Sequence, residues 1–460
     1  MSARRISAVL TAIAMVTTVF ALSSTAQASG ATPKAAATTA PTAARAAVVG
    51  QPSTNYVPPP TSFFSYPNRG AAARQAIRGR VLKTIRSVWG GRKTPRGMTY
   101  EGNGTIRIAT WSFADWEVAR ALVAAQRRGV SVQIVAASQA NRDHKQWRWL
   151  KQKLGQRLYI PGKAGSRDKV SFARECRGAC RGPGGTAHSK YFMFDNVGNG
   201  HIRNVVVQSS MNLTVMGYKG QWNQAFVNRS AAIYNQFMTI YRQLRIGRVS
   251  GSSNRNFVAG TTVTRFFPLR GGNRNNDPVM RLLNRTSCAG GTKIRIIQYA
   301  VYGTRGTYLA KKLRSMWSRG CSVRIIYAVS SRPVISILRN RSGRGAIPMK
   351  QSVITNKRRE IVKYNHSKWM SIIGRQGSTV QTGSSNWSAF AFACDEQVQE
   401  VKSRFQANRH NSAFNTTWRQ KTSHAPGYGK KGSEGRVMWD IPPQPTFGKG
   451  IYKYLTPNGG

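Results

Sequence analysis

The stretch that decides the fold of this chain is a pattern that occurs twice. Its first copy is GTIRIATWSFADWEVARALVAAQRRGVSVQIVA at residues 104–136, and its second is GTKIRIIQYAVYGTRGTYLAKKLRSMWSRGCSVRIIYA at residues 291–328. Each copy has an apolar run, then apolar residues at helical spacing that end at a glycine, then a second apolar run. This order predicts two parallel strands joined by a helix in a right-handed crossover.

The predicted elements fall at corresponding places in the two copies. Their bounds are 104–110, 116–128 and 130–136 in the first copy, and 291–298, 307–319 and 321–328 in the second. An aromatic segment precedes each copy, with Phe63 before an Arg-rich amphipathic helix and Phe266 before a helical pattern at 278–284. The chain therefore looks like a duplicated α/β domain.

The duplication predicts the domain organisation. We expect domain 1 at 61–250 and domain 2 at 251–420, joined at the Gly-Ser-Ser-Asn stretch 251–254. Residues 29–60 are rich in Ala, Thr and Pro, which is typical of a flexible linker. Residues 421–460 are rich in Gly, Pro and Lys, and we predict an irregular basic tail there.

The first 28 residues have the features of a secretory signal peptide. Arg4 and Arg5 supply positive charge, and an apolar run extends from Ala8 to Leu22. A small-x-small cleavage site ends at Ala28. The apolar run is shorter than the ~20 residues that span a bilayer, so we expect a secreted protein.

The chain is strongly basic. It has 71 Lys and Arg against 14 Asp and Glu, for a formal net charge of +57. The basic residues are spread along the chain, so its field should attract polyanions such as nucleic acid, an anionic membrane surface or a wall polymer. Charge alone is also consistent with adhesion to a charged surface.

The five cysteines leave at least one unpaired thiol. We predict disulfides Cys176–Cys180, within a Gly-rich loop, and Cys288–Cys321, at the entries of two parallel strands, with Cys394 free. A zinc site at the first pair is the competing interpretation, but no second close Cys or His pair follows it.

Two identical triplets carry the residues for chemistry. They are His188-Ser189-Lys190 and His366-Ser367-Lys368, at matching places in the two halves, and each runs into an apolar stretch. Alternation along a strand places the His and Lys of a triplet on one face. A single His-x-Lys would carry no weight, whereas two copies in register indicate one site built from both halves.

A polar segment follows each triplet at the end of a predicted strand. It reads QSSMNLT at residues 208–214 and TGSSNWS at 382–388. Ser and Asn are common turn residues, so one such segment would indicate only a turn. Its recurrence downstream of both triplets indicates a second part of the same site.

These motifs resemble the phospholipase D superfamily, whose pattern is His-x-Lys-x4-Asp followed by Gly-Ser-x-Asn. The matching residues are His188, Lys190, Asp195, Ser210 and Asn212 in the first half, and His366, Lys368, Gly383, Ser384 and Asn386 in the second. Ile373 stands where the second motif would have Asp, and Ser209 where the first would have Gly. The resemblance implies two similar α/β domains related by a pseudo-twofold axis, with the active site at their interface.

The resemblance also implies residue roles. One imidazole attacks phosphorus and the other protonates the leaving oxygen and then activates water; we assign the attack to His188 and the proton transfers to His366. Lys190 and Lys368 would stabilise negative charge, with Asp195 as the motif acid. The phosphate-binding residues would be Ser210, Asn212, Ser384 and Asn386. Gln224, Asp395 and Glu396 are the candidates to orient the histidines. No metal or cofactor is expected.

Three functions remain open at this point. The first is a monomeric secreted phospholipase D-like enzyme that contacts anionic membrane surfaces peripherally and hydrolyses phospholipid head-group diesters. The second is a metal-independent endonuclease of the same superfamily, which the basic charge favours. The third is a non-catalytic polyanion-binding protein, against which the two His-Lys pairs argue.

Overall fold

The computed structural model describes residues 50–91, 93–94, 97–98, 104–155, 170–247, 253–355 and 361–424. These residues belong to one compact unit. The predicted signal peptide, most of the predicted linker and nearly all of the predicted tail lie outside the described residues, and so does part of the predicted joint. Within the described ranges, no helix combines the length and apolar character needed to cross a membrane.

The first half alternates strands and helices as the repeat predicts. Its strands are β1 (Ser62–Ser65), β2 (Lys93–Thr94), β3 (Gly97–Met98), β4 (Thr105–Thr110), β5 (Phe113–Ala114), β6 (Ser131–Ala137), β7 (Phe172–Cys176), β8 (Tyr191–Asp195), β9 (Val205–Ser209), β10 (Leu213–Thr214) and β11 (Gln221–Asn228). Its helices are α1 (Ala71–Arg74), α2 (Ala76–Arg86), α3 (Trp116–Arg127), α4 (Lys145–Leu154), α5 (Val215–Lys219) and α6 (Ala231–Ile246).

The second half continues the numbering. Its strands are β12 (Arg255–Ala259), β13 (Thr262–Phe266), β14 (Lys293–Val301), β15 (Ser322–Ser330), β16 (Met349–Thr355), β17 (Ile361–Asn365), β18 (Lys368–Gly374), β19 (Gly377–Gly383), β20 (Gln397–Lys402) and β21 (Ser423–His424). Its helices are α7 (Pro278–Asn284), α8 (Gly303–Ser318), α9 (Arg332–Arg339) and α10 (Arg404–Trp418).

The strand order of the two halves is the same, which confirms the duplicated α/β fold. In the first half, β7, β6 and β4 are parallel neighbours, and β8, β9, β11 and β1 continue the sheet antiparallel to one another. In the second half, β16, β15 and β14 are parallel, and β18, β19, β20 and β13 follow in the same manner. Both crossover helices, α3 and α8, connect the predicted pairs of parallel strands. The domain boundary near residue 250 stays a prediction.

Helices cover both faces of each sheet, because side chains alternate along the buried strands. On one face of the first sheet, Ile106 and Ile108 of β4 pack in a core with α2, α3 and α4. On the other face, Tyr191 of β8 packs in a core that contains one side of α6. The second half repeats this arrangement, with α7, α8 and α9 on one face and α10 on the other.

The helix α8 begins four residues before its predicted start. Gly303 adopts a positive φ of 65° at its first position, which is a conformation that suits glycine. Arg305 in the first turn is buried and donates to both carboxylate oxygens of Asp277, at 3.0 and 3.1 Å. This ion pair with the residue that caps α7 stabilises the early turn, and a helical pattern of apolar residues cannot reveal it.

The two halves meet along a seam that passes each triplet. The backbone N–H of His188 donates to the carbonyl of Asp395 at 3.0 Å. The backbone N–H of His366 donates to the carbonyl of Trp222 at 2.9 Å. Since the residues preceding the two triplets also pair in parallel with these partners, each histidine is attached by its backbone to the opposite half.

Two buried glutamines reinforce the seam in a reciprocal way. Gln397 accepts from the N–H of Lys190 at 3.1 Å and donates to the carbonyl of Lys190 at 2.9 Å. Gln224 accepts from the N–H of Lys368 at 3.1 Å and donates to its carbonyl at 3.2 Å. Each glutamine therefore acts like a short piece of strand that binds the lysine of the other half.

Both predicted disulfides are present, and Cys394 is free and buried, so this prediction is confirmed. Cys176–Cys180 lies in the loop that leads to His188. Cys288–Cys321 lies at the amino ends of β14 and β15, away from the triplets.

Replacing Gln397 by Leu should lower the free energy of unfolding by about 1–3 kcal/mol, because the buried N–H of Lys190 would lose its acceptor. Urea unfolding monitored by tryptophan fluorescence measures this difference. The matched control is Gln152→Leu on the exposed face of α4, which should leave the free energy nearly unchanged. Equal midpoints and slopes for the two variants would show that the seam does not depend on the glutamine.

Candidate active site

The two triplets lie side by side at the starts of β8 and β18. All four functional side chains are buried, with His188 8% exposed and His366 0% exposed. Groups of the two halves act on each other electrostatically: Lys190 and His188 lower the pKa of His366, and Lys368 lowers the pKa of His188. The structure thus brings both His-Lys pairs into one site, as the motifs predict.

Each imidazole is oriented by a side chain from the opposite half. Nδ1 of His188 lies 2.8 Å from Oε1 of Glu396. Nδ1 of His366 lies 3.1 Å from Oδ1 of Asn223. A carboxylate and an amide oxygen only accept, so both Nδ1 atoms carry the proton and both Nε2 atoms present a lone pair to the site.

The amide of Asn223 is itself fixed in orientation. Its Nδ2 donates to the carbonyl of Gly217 at 2.9 Å, which turns Oδ1 towards His366. The hydroxyl of Ser210 donates to the same Oδ1 at 2.7 Å. The hydroxyl of Ser384 makes the equivalent bond to Oε2 of Glu396. Phosphate binding by Ser210 and Ser384 stays a prediction, and in the structure their hydroxyls hold the residues that orient the histidines.

The prediction for Gln224 was displaced by one residue. The counterpart of Glu396 in the first half is Asn223, and Gln224 corresponds to Gln397, the other seam glutamine. Neither Asn223 nor Gln397 was among the residues predicted from the sequence motifs. The signal was present in the shared glutamine: Asn223-Gln224 aligns with Glu396-Gln397 once the glutamines are placed together.

The motif acid Asp195 lies at the far end of β8 from His188. It pairs with Thr105 in the sheet, and its carboxylate accepts from Arg203 at 3.0 Å. Ile373 occupies the equivalent register position in β18, opposite Lys293. Because a strand separates this position from the imidazoles, the structure gives Asp195 no contact with the site, and Ile373 removes nothing from it.

Asp395 does not contact an imidazole either. Its carboxylate is buried and accepts from the backbone N–H of Cys180 at 2.5 Å. Of the two acids proposed as orienting residues, Glu396 therefore contacts His188 directly, whereas Asp395 binds the loop that precedes it.

The two lysines are held over aromatic rings. Nζ of Lys190 donates to the carbonyl of His188 at 2.6 Å and lies 5.8 Å from the ring centroid of Trp111. Nζ of Lys368 donates to the carbonyl of His366 at 2.7 Å and lies 4.7 Å from the ring centroid of Tyr299. Trp111 directly follows β4, and Tyr299 lies near the end of the equivalent strand β14. The aromatic ring beside each lysine is therefore also duplicated.

The predicted asparagines each follow, by two residues, a serine whose hydroxyl binds a residue that orients a histidine. Asn212 is fully buried, and Asn386 is partly exposed. Within the described part of the chain, Nε2 of His366 and Oδ1 of Asn386 are buried and have no hydrogen-bond partner. Unpaired buried polar atoms are destabilising unless a ligand or water binds them, which is expected of a site that is filled by substrate.

Burial lowers the pKa of every cationic group in the site. The pKa of His188 falls to about 4, chiefly through burial, although Glu396 opposes the shift. Burial lowers the pKa of Lys190 to about 7. The pKa values of His366 and Lys368 fall well below their usual range through burial and through repulsion by neighbouring cations. The site therefore favours an anion, which would stabilise the protonated forms.

A pocket of about 660 Å³ opens at the amino end of α8. The residues that line it include Arg274, Tyr302, Thr304, Thr307 and Lys311. Tyr302 is adjacent to the site, since its N–H donates at 3.2 Å to Trp387, the residue after Asn386. The cationic side chains of Arg274 and Lys311 in this pocket favour an anionic ligand group.

No cluster of three or more His, Cys, Asp or Glu that could hold a metal occurs in the described residues.

Comparison with protein families gives one match that occurs twice. A family model described as cardiolipin synthase, PLD-like domain, matches residues 101–245 and again 279–418. The two stretches cover more than half of the chain, and one triplet lies in each. A comparison with curated proteins found no match.

Several solved structures of low sequence identity are similar to parts of this chain. Phosphatidylserine synthase from Haemophilus influenzae Rd KW20 is 12% identical, with 78% of this chain and 86% of that chain covered and a TM-score of 0.49. Nuc, a phospholipase D family member from Salmonella typhimurium, is 21% identical, with 41% and 95% covered and a TM-score of 0.27. Polyphosphate kinase from Porphyromonas gingivalis is 12% identical, with 69% of this chain covered and a TM-score of 0.47. The matched region spans only 46% of that kinase.

Binding of an oxyanion should be accompanied by proton uptake at about pH 7.5. An anion raises the pKa of Lys190 from about 7 to above the working pH, so the complex binds more protons than the empty site. Calorimetric titration with tungstate, in two buffers of different ionisation enthalpy, measures the number of protons. Lys190→Met should take up fewer. The same heat in both buffers for the unmodified protein would contradict the electrostatic description.

Proposed function

This chain belongs to the phospholipase D superfamily, through a PLD-like domain of the cardiolipin synthase type in each half, and we propose that it is a secreted phosphodiesterase that hydrolyses phospholipid head-group diesters. The observation that supports this most directly is the pair of buried imidazoles, each with Nδ1 bound to the opposite half and Nε2 directed into a shared cationic site. Two such imidazoles suit a reaction in two displacements at phosphorus.

In the first displacement, Nε2 of His188 attacks phosphorus and forms a P–N bond, while the P–O bond to the head-group alcohol breaks. His366 becomes protonated at Nε2 when the bound anionic substrate raises its pKa. It then gives that proton to the leaving oxygen. In the second, His366 takes a proton from water, the water oxygen attacks phosphorus, and the P–N bond breaks. The products are the alcohol and a phosphate monoester, and both histidines return to their starting states.

The different partners of the two imidazoles support the choice of His188 as nucleophile. A phosphorylated imidazole carries positive charge, which the carboxylate of Glu396 stabilises across the 2.8 Å bond from Nδ1. His366 is bound instead to the neutral amide of Asn223. Its imidazolium is stabilised less, so it gives up its proton more readily and is better suited as the acid.

Charge stabilisation in the transition state falls to the lysines and asparagines. With the anionic substrate bound, Lys190 and Lys368 would each present an ammonium group beside one imidazole. Their remaining N–H groups, and the amides of Asn212 and Asn386, would bind the non-bridging oxygens in a site from which water is excluded. Two fixed cations supply the role that a divalent metal plays in other phosphodiesterases.

Two observations support a lipid substrate. The family model is one described for cardiolipin synthase. In addition, Trp116 and Val215, which follow the paired strands β5 and β10 next to Asn212, are 37% and 47% exposed. Tryptophan at such a position suits contact with a membrane interface. A nuclease activity is the second candidate, and the charge of +57 favours it because a phosphate backbone binds basic surfaces.

Secretion is part of the proposal and is supported by the sequence of residues 1–28 and by the cysteines. Two disulfides lie within the described residues, and such bonds persist in oxidising compartments. An export assay with and without residues 1–28 would decide this part independently of the activity.

The roles of the histidines can be separated with a soluble diester whose leaving group is p-nitrophenolate, which departs without being protonated. His366→Ala should release one equivalent of p-nitrophenolate in a burst and retain the phosphoryl group on His188. His188→Ala should show no burst. His201→Ala, an exposed histidine, is the control and should turn over normally. Phosphoryl label on His366 in any variant would reverse the assignment.

With phospholipid vesicles and a short-chain primary alcohol, the enzyme should form both phosphatidic acid and the exchanged phosphatidyl alcohol, because either water or alcohol can attack the intermediate. Both products should persist in EDTA and disappear in His188→Ala. A parallel assay with DNA at several salt concentrations separates binding from cleavage. DNA cleavage that depends on His188, without either lipid product, would replace the lipid proposal with the nuclease.

A further inference from the structure

The loop that leads into His188 is closed on itself by a disulfide. It begins at Cys176, the last residue of β7, and the bond to Cys180 closes a turn in which Gly178 has a φ of +65°. The N–H of Ala187 returns to the carbonyl of Gly178 at 3.0 Å. The residue before His188 is therefore attached directly to the disulfide-closed turn.

This loop binds Asp395 of the opposite half from several sides. The N–H of Cys180 donates to Oδ2 of Asp395 at 2.5 Å, and the N–H of Asp395 donates to the carbonyl of Thr186 at 2.9 Å. Gly185 allows the close approach, because a Cβ there would lie 2.2 Å from the carbonyl oxygen of Ala393. Burial raises the pKa of Asp395 to about 7, and Arg181 with the loop N–H groups opposes that shift.

Asp395 directly precedes the residue that orients the nucleophile. Its carbonyl accepts from the N–H of His188 at 3.0 Å, and the next side chain, Glu396, binds Nδ1 of the same histidine at 2.8 Å. The position of the loop thus determines both ends of the Glu396–His188 pair. A shift of the loop would change the distance between the backbone of His188 and the backbone of Glu396.

The other histidine is held differently. The segment before His366 is the strand β17, which pairs with β11 and, through a register shift at its start, with β16. Trp222 takes the place of Asp395 there, since its carbonyl accepts from the N–H of His366. The approach to His366 therefore depends on sheet pairing, whereas the approach to His188 depends on an irregular loop.

We propose that the Cys176–Cys180 loop, acting through the side chain of Asp395, is the positioning element for the Glu396–His188 pair. Asp395 is a positioning residue, and the disulfide keeps the N–H of Cys180 where its carboxylate can accept. The inference rests on the proposed function only for its kinetic measurement. We expect the loop to affect the position of His188 and not that of His366.

The test compares two variants that each lack one disulfide. Cys176→Ser/Cys180→Ser should lower kcat for the soluble p-nitrophenyl diester by about 10–100-fold, the range for loss of a partner that orients a functional imidazole, with KM unchanged. Cys288→Ser/Cys321→Ser removes the bond at the remote ends of β14 and β15 and should leave kcat unchanged. Asp395→Ala should behave like the first variant, and Asp395→Asn, which retains an oxygen acceptor, should recover part of kcat.

A second measurement does not need turnover. The Nδ1 proton of His188 bonded to Glu396 should give a low-field proton NMR resonance, identified by its absence in His188→Gln. It should be lost or shifted in Cys176→Ser/Cys180→Ser and Asp395→Ala, and kept in Cys288→Ser/Cys321→Ser. If the unmodified protein cleaves no diester, the proposed function fails while this resonance still decides the present inference. If the variant without Cys176–Cys180 keeps both the resonance and kcat, the loop does not position the Glu396–His188 pair. If that variant does not fold, retention of the resonance and kcat in Asp395→Ala would overturn the inference in the same way.

Discussion

The constraint on which the site depends is that each imidazole completes its hydrogen bonding only with the opposite half of the molecule. Glu396 binds His188 and Asn223 binds His366, and the backbone bonds to Asp395 and Trp222 place the two rings. The seam glutamines, the serines that bind Asn223 and Glu396, and the aromatic rings beside the lysines are duplicated in the same way. Neither half contains a complete site, so folding of the whole unit and assembly of the site are one event.

The site also contains more cationic than anionic groups. Two lysines and two histidines are buried around a single carboxylate that touches an imidazole, and burial lowers the pKa of all four cationic groups. Burying such groups without a counter-charge is destabilising, and the surrounding cores must offset it. A phosphate group supplies the missing negative charge, so affinity for the substrate arises from the same imbalance that weakens the empty protein.

Sequence patterns predicted the repeated strand–helix–strand units and the two triplets, because these are encoded in local periodicity and in spacing that recurs. Both disulfides were predicted from where the cysteines fall, two in one Gly-rich loop and two at the entries of parallel strands. The patterns did not predict the partner of His366. The shared glutamine aligns Asn223-Gln224 with Glu396-Gln397, but the unequal spacing from lysine to asparagine in the two halves hides this correspondence. The register of β11 against the opposite half makes it plain. The roles of Ser210 and Asp195 were missed for a related reason: a motif shows which residues recur, and only the strand geometry shows that one hydroxyl faces Asn223 and that one carboxylate lies at the far strand end.

The difference between Glu396 and Asn223 has an evolutionary meaning. In a symmetric dimer of identical half-length chains, one codon sets the partner of both histidines, and the two rings are chemically equivalent until substrate binds. Fusion of the halves into one chain releases each codon to change alone. In the proposed mechanism, a carboxylate on one ring and an amide on the other would then fix the nucleophile and the acid in advance, and the substrate would enter in only one productive direction.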